Sequence, residues 1–522
     1  MTDSYNPRKT PSALTRRQFL AAGSAGAIAV AAGLASGLPS AGASTALKPK
    51  RGGTLLVARI EPIDGFKLDS ATADPSYQLD MAVMEPLLRS ASGGKGVVTG
   101  LAESFHYDPA AKTYTMKLAQ NARFSSGAAV TPRDVAFSLE VWKAGPNYGS
   151  TYSSIKSLTT IDDRTFRFNL TEENSALSDF LTWSSSGILP HNFGGKSESE
   201  FWQHPVGAGA FKVGEWASDG VIHLTRNPHY YQNGRPYLDA VVSSLTSQAT
   251  QRALEFRSGQ VDVVEGVAPT QAALYQKQYL TVLAKHFTDF LSFNTAKAPF
   301  NNVEARRAVA YAIDYQSISR GIYKGYAEKP TGLVPPSLPY WAPPTKPYFK
   351  QDLPLAKKLI AQTGLAKQHL QIIYPSVEGN YGLVAEVVQG SLHAAGLNVT
   401  LVPEDLGTFL GEFGTPKYDM GIWGNNAISP DVVDPIVFIY ATKWLFASYP
   451  TKKLGTLIRD YELATTTASK EAVITEIQNE AFQEVPSLGL DHYSELFAIQ
   501  SDVHGISPTP WGMYYYDGVW KG

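Results

Sequence analysis

Hydrophobic positions follow two rhythms along the chain. From Thr54 to Arg226, alternation with a period of two dominates. Thr54–Ile60 reads as a first strand, and Tyr114, Met116 and Leu118 mark one face of another. Phe166, Phe168 and Leu170 do the same after a turn at Asp162-Asp163. Phe211–Trp216 and Val221–Arg226 flank Ala217-Ser218-Asp219-Gly220, which predicts a hairpin. Thr131-Pro132-Arg133-Asp134 opens a helix in this stretch, with Thr as the cap and Pro at the first helical position.

Beyond residue 240, strands and helices alternate. Ala240–Leu245, Val261–Val264, Leu370–Tyr374, Asn398–Val402 and Tyr418–Trp423 are short apolar runs of strand length. Between them, helices are predicted at Gln251–Arg257, Glu304–Tyr323, Leu355–Gln362 and Leu383–Ala395. Gly259, Gly364 and Gly396 stand where a left-handed cap is needed. Two more helices cover Thr451–Thr466 and Lys470–Val485, and Leu488–Leu490 leads into a Tyr- and Trp-rich tail. The alternation predicts layered α/β lobes.

The N-terminus stands apart. Arg16-Arg17-Gln18-Phe19-Leu20 precedes a weakly hydrophobic run rich in Ala, Gly and Ser, and Ala41-Gly42-Ala43 offers the small residues of a cleavage site. Residues 1–43 therefore read as a signal of the twin-arginine type. The mature chain is expected in the periplasm, soluble and not lipid-anchored.

Composition narrows the function. The chain has 522 residues, 45 Lys and Arg against 47 Asp and Glu, and no Cys. So balanced a charge argues against a nucleic-acid partner, which requires a basic face. Without Cys there are no disulfides, thiolate metal sites, Cys nucleophiles or lipid-modified Cys. Neither a Gly-x-Ser-x-Gly elbow, a His-Glu-x-x-His helix nor a phosphate-binding loop occurs. Gly93-Gly94-Lys95-Gly96 lacks the spacing of such a loop and reads as a turn. The His residues are scattered, and His492, between Asp491 and Tyr493, is the one with chemically interesting neighbours. A secreted hydrolase remains open on these grounds, because paired carboxylates cannot be read from sequence alone.

Four blocks in order carry a resemblance across about 400 residues. Leu101-Ala102-Glu103-Ser104-Phe105 through Thr131-Pro132-Arg133-Asp134-Val135 is the first. Pro205-Val206-Gly207-Ala208-Gly209-Ala210-Phe211 through Gly234-Arg235-Pro236-Tyr237-Leu238-Asp239 is the second. Phe293-Asn294-Thr295 with Arg306-Arg307-Ala308-Val309-Ala310-Tyr311-Ala312-Ile313-Asp314 is the third, and Tyr418-Asp419-Met420 with Trp423 the fourth. Together they resemble the family 5 extracellular solute-binding proteins of ABC importers, the peptide/nickel-binding type. Ala208 and Ala210 depart from the Thr and Pro usual there.

The resemblance implies a two-lobed type II periplasmic-binding fold with a β-rich insertion. One lobe would hold residues 51–71, 205–288 and 491–522, with the insertion at 72–204; the other would hold 291–488. Crossing segments near Asp289–Phe293 and Leu488–Tyr493 would form the hinge. It further implies a monomeric, non-catalytic receptor that passes a small solute to an ABC permease and ATPase, with no cofactor. A repurposed chemosensory or chaperone partner is the remaining alternative. Nickel-binding members commonly take their metal within a chelate, so no protein metal site is expected.

For the ligand, the resemblance implies a role for Trp423 as a stacking surface. Peptide-binding members carry an Asp three residues after the matching Trp, paired with the peptide's ammonium. Here Trp423-Gly424-Asn425-Asn426 puts Asn426 there, so a non-peptide or amine-blocked solute is expected unless Asp431 or Asp434 supplies the charge. An oligopeptide receptor is the alternative. Glu61, Asp64, Tyr381 and His492 are further candidates for the cleft, with Asn425 beside Asn426.

Overall fold

Thr54–Arg59 has both faces covered, as its continuous apolar sequence requires. It pairs in parallel with Ala240–Leu245 on one side, Thr54 opposite Ala240, and with Val263–Val267 on the other, Val57 opposite Val263. This is the middle of the N-terminal half of a large mixed sheet in a computed structural model. The model describes residues 48–522 except 64, 69–73, 92–95, 147, 217–219, 377–379, 414–416, 427–451 and 510. The twin-arginine segment, Asp64, Asp431 and Asp434 lie outside the described residues.

From Ala240–Leu245 the sheet extends antiparallel to Ile222–Arg226 and then Phe211–Trp216, the expected hairpin. From Val263–Val267 it extends to His492–Ile499 and then Leu280–Phe293. Met420–Asn426, His369–Pro375 and Asn398–Glu404 complete the other end. The 14-residue strand Leu280–Phe293 changes partner along its length. Leu280 to Phe287 pair with His492–Ile499, whereas Phe287 to Phe293 pair with Met420–Asn426. The two lobes join here, and Ser487–Gly489 adds a second crossing beside Leu291. A separate four-stranded antiparallel sheet runs in the order Ala102–Asp108, Thr113–Leu118, Thr165–Leu170, Ile155–Thr160.

Local chemistry fixes the helices. In Pro132–Ala144, the Asp134 carboxylate accepts from the Thr131 N–H at 2.8 Å and the Thr131 hydroxyl at 2.7 Å. Leu353–Thr363 and Tyr381–Ala394 are followed by Gly364 at φ 72° and Gly396 at φ 94°, a conformation that penalises any Cβ. The expected long helix over Glu304–Tyr323 is instead two pieces, Val303–Ala312 and a separate turn Ser317–Ile322. Ile313 is extended, and the Asp314 carboxylate accepts from the N–H groups of Gln316 and Ser317, so it starts a new turn. Gly207 and Gly209 serve close packing: a Cβ at either would lie 1.9 Å from the Val83 carbonyl oxygen or 2.3 Å from that of Ala82.

Candidate ligand-binding cleft

A cavity of about 140 Å³ lies where the lobes meet. Its first wall comes from the lobe around Thr54–Arg59, through Glu61 just after that strand, Arg252 on the helix Ala249–Arg257, Glu265 and Glu495; Asp289, Tyr323 and Tyr381 form the second. Typical ligand pockets hold roughly 300–1,000 Å³. The described walls are therefore close together, and a hydrogen bond from the Thr270 hydroxyl to Asn380 Oδ1, 3.0 Å, spans them.

Aromatic rings pack in two stacks. Tyr493 is sandwiched between Phe287, 5.1 Å between centroids, and Tyr323, 4.6 Å. Trp423 is sandwiched between Tyr381, 5.6 Å at 7°, and Phe409, 5.3 Å at 21°. In the second stack Trp423 packs against protein rings, and it is not among the residues that line this cavity.

The other candidates divide. Glu61 and Tyr381 line the cavity. Asn425 and Asn426 sit in the strand Met420–Asn426 opposite Thr288 and Phe287, with their side chains outside the described set. His492 does not reach the cavity. It is fully buried, with Nδ1 2.8 Å from the Thr288 hydroxyl and Nε2 accepting from the Thr331 N–H at 3.3 Å. Burial lowers its pKa to about 3, so it packs as a neutral ring.

Sequence reading named Asp289 merely as a landmark of the hinge, yet it is the most unusual group in the cleft. It is 1% exposed, and one of its oxygens accepts from the Tyr323 hydroxyl. Its backbone N–H donates to Asp491 Oδ1 at 3.3 Å. Burial pushes the Asp289 carboxyl up to about 6, against the opposing pull of the Tyr323 bond. Burial and then the Asp289 charge push Asp491 well above the usual carboxylate range. A polar residue within an otherwise apolar run, Phe287-Thr288-Asp289-Phe290-Leu291, is the signal that would have found it.

Arg252, the cation of the lining, is already held. Its Nη1 donates to the carbonyls of Thr246 at 2.7 Å and Ser247 at 2.6 Å, and Nη2 to Gln271 at 3.3 Å. Among the described residues no three His, Asp or Glu converge on a metal position. No described helix is long and apolar enough to cross a membrane.

Two lobes joined by crossing strands, with a cavity at the crossing, define a binding protein that closes over its solute. Solved structures of that architecture superpose closely. One is the periplasmic binding protein DppA of Helicobacter pylori in complex with the peptide STSA, with a TM-score of 0.79, 24% identity, and 90% of this chain and 98% of that one covered. Another is AgaA of A. tumefaciens R10 with agropinic acid, with a TM-score of 0.79, 23% identity, and 90% and 99% covered. Residues 96–444 match the model of the bacterial extracellular solute-binding proteins, family 5 middle, and the chain belongs to that family. It is also 25% identical over 396 residues to the "Probable D,D-dipeptide-binding periplasmic protein DdpA" of Escherichia coli (strain K12), covering 72% of this chain and 76% of that protein. It is thus a family 5 substrate-binding subunit of an ABC importer.

Proposed function

We propose that the protein is a monomeric, non-catalytic receptor. It is exported folded by the twin-arginine route, captures one small solute between its lobes and hands it to its permease. The observation carrying this reading is the cavity at the partner change of Leu280–Phe293. A solute that touches both walls stabilises the closed arrangement by its differential contacts, with no chemistry required. One neighbour is solved with the peptide STSA and another with agropinic acid, so the fold accommodates both. Beside the amine-blocked solute expected from Asn426, an amine-bearing one is supported by Glu61, Glu265, Asp289 and Glu495, which bring carboxyl groups to the cavity from elsewhere.

Solution scattering with a bound solute is the test. A hinged receptor shows a smaller radius of gyration at saturation and a melting temperature that rises with solute concentration. An unchanged radius at saturation contradicts hinged capture. Export is tested separately: replacing Arg16 and Arg17 together by Lys leaves precursor in the cytoplasm, and normal periplasmic levels of that variant refute the twin-arginine reading.

A further inference from the structure

The cavity lining is lopsided in charge. Glu61, Glu265, Asp289 and Glu495 contribute four carboxyl groups, against the guanidinium of Arg252. Arg252 is turned to backbone carbonyls and Gln271. Glu265 already accepts from the Tyr514 hydroxyl at 2.6 Å. Asp289 differs from these. Tyr323 bonds one of its oxygens, while Oδ1, like Oδ2 of the neighbouring Asp491, is buried with no donor other than a proton that the two carboxyls share. Once ionised, a buried acceptor without a donor is unfavourable, and more so when it carries the charge.

The strand beside Asp289 lets it approach closely. Gly424 stands directly opposite in register. A Cβ there would lie 3.2 Å from Asp289 Oδ1 and 3.0 Å from the Tyr381 hydroxyl, so the missing side chain is what lets both polar atoms pack together over Gly424. Tyr323 and Tyr493, stacked at 4.6 Å, sit beside the carboxyl with rings whose faces favour cations.

We propose that Asp289 is the counter-charge for a positively charged nitrogen of the solute, an ammonium or a guanidinium, with the Tyr381 hydroxyl as a second acceptor. This inference rests on the receptor reading and gives its solute a class. The nitrogen donates to Oδ1 in place of the proton shared with Asp491, its charge is balanced at the hinge, and the carboxylates of the first wall raise the local concentration of cations. Placement at the crossing of the two lobes makes the contact available to a solute only when the walls approach.

The experiment uses the purified mature protein and a panel of free and N-acetylated di- to pentapeptides, putrescine, agmatine, sucrose and citrate. Each is screened by thermal melting, and the probes that stabilise are measured by calorimetry. The expected result is that stabilising probes carry a free ammonium or guanidinium. N-acetylation of a peptide probe, or Asp289→Asn in the protein, each then weakens binding 100-fold or more. The Asn variant is checked for folding by its melting temperature without probe. Tight binding of sucrose, citrate or an acetylated peptide, undiminished in Asp289→Asn, overturns the inference and leaves the receptor reading standing. A panel in which nothing raises the melting temperature counts against the receptor reading, and the inference falls with it.

Discussion

Asp517 and Asp289 are equally buried, each 1% exposed, and their surroundings treat them in opposite ways. Asp517 accepts from Arg89 at 3.3 Å and from Arg235 at 3.0 Å, and Arg89 also forks onto Glu85 at 2.6 and 2.9 Å. Tyr230, Tyr231 and the Tyr515 ring close the cluster around Arg89. Although burial raises the Asp517 pKa, the two guanidinium groups outweigh it and hold the carboxyl below its usual value. At the hinge, Asp289 meets a second carboxyl where Asp517 meets two cations, and its pKa moves up. A buried charge whose partners are supplied by the same chain fastens the chain to itself. One whose partners are missing is stable in a form that an incoming cation can displace.

The largest effect in this comparison belongs to the satisfied cluster. Arg89→Met strands Glu85 and Asp517 without their shared cation and costs on the order of 3–5 kcal/mol, measured by chemical denaturation. A loss below 1 kcal/mol means that the cluster is not held by Arg89. At the hinge the sign reverses. Asp289→Asn removes a carboxyl that the empty protein holds at a cost, and the variant gains about 1–3 kcal/mol at pH 8 without solute. An Asn variant less stable than the parent at that pH removes the contrast.

The pH dependence sharpens it further. His286 and His492 are buried neutral, with pKa values lowered to about 4 and about 3. Groups depressed in this way lose stability as pH falls below about 6.5, where the unfolded state takes up protons. Asp289, raised to about 6, works the other way: its penalty grows as pH rises from about 4 to 6. Between pH 6.5 and 4 the two partly cancel. Asp289→Asn is therefore expected to lose melting temperature more steeply than the parent over that range. Parallel curves contradict the assignment of the elevated carboxyl to Asp289. The smallest effect is at Gly424→Ala, whose new methyl pushes on the Tyr381 hydroxyl and Asp289 Oδ1 by a few tenths of an ångström. Calorimetry should show roughly tenfold weaker binding of any amine probe and a melting temperature almost unchanged.

These two regions also mark what a sequence discloses. Helix ends at Gly364 and Gly396 and the hairpin at Phe211–Arg226 are legible because the determining residues lie within a few positions of one another. Leu280–Phe293 and His492–Ile499 are not: Lys285, His286, Thr288 and Asp289 interrupt the apolar rhythm, and the partners are some 200 residues apart. The cleft followed the same rule. Glu61 and Tyr381 were found at a strand end and a helix start, since such positions open toward a crossing. The rings stacked on Trp423, Phe409 and Tyr381, are brought there by packing that no local pattern announces.

Phe287 faces Asn426 in one lobe and Tyr493 in the other, so one strand, Leu280–Phe293, carries both ladders, with register shifts on the His492–Ile499 side before Phe287. The molecule has two lobes, yet it cannot be divided into two halves. Cutting the chain at that point exposes hydrogen-bonding edges on both pieces, and edges of that kind recruit whatever strand is nearest. Exchanging one lobe for another would have to rebuild this ladder as well as the cleft, because both walls stand on one sheet.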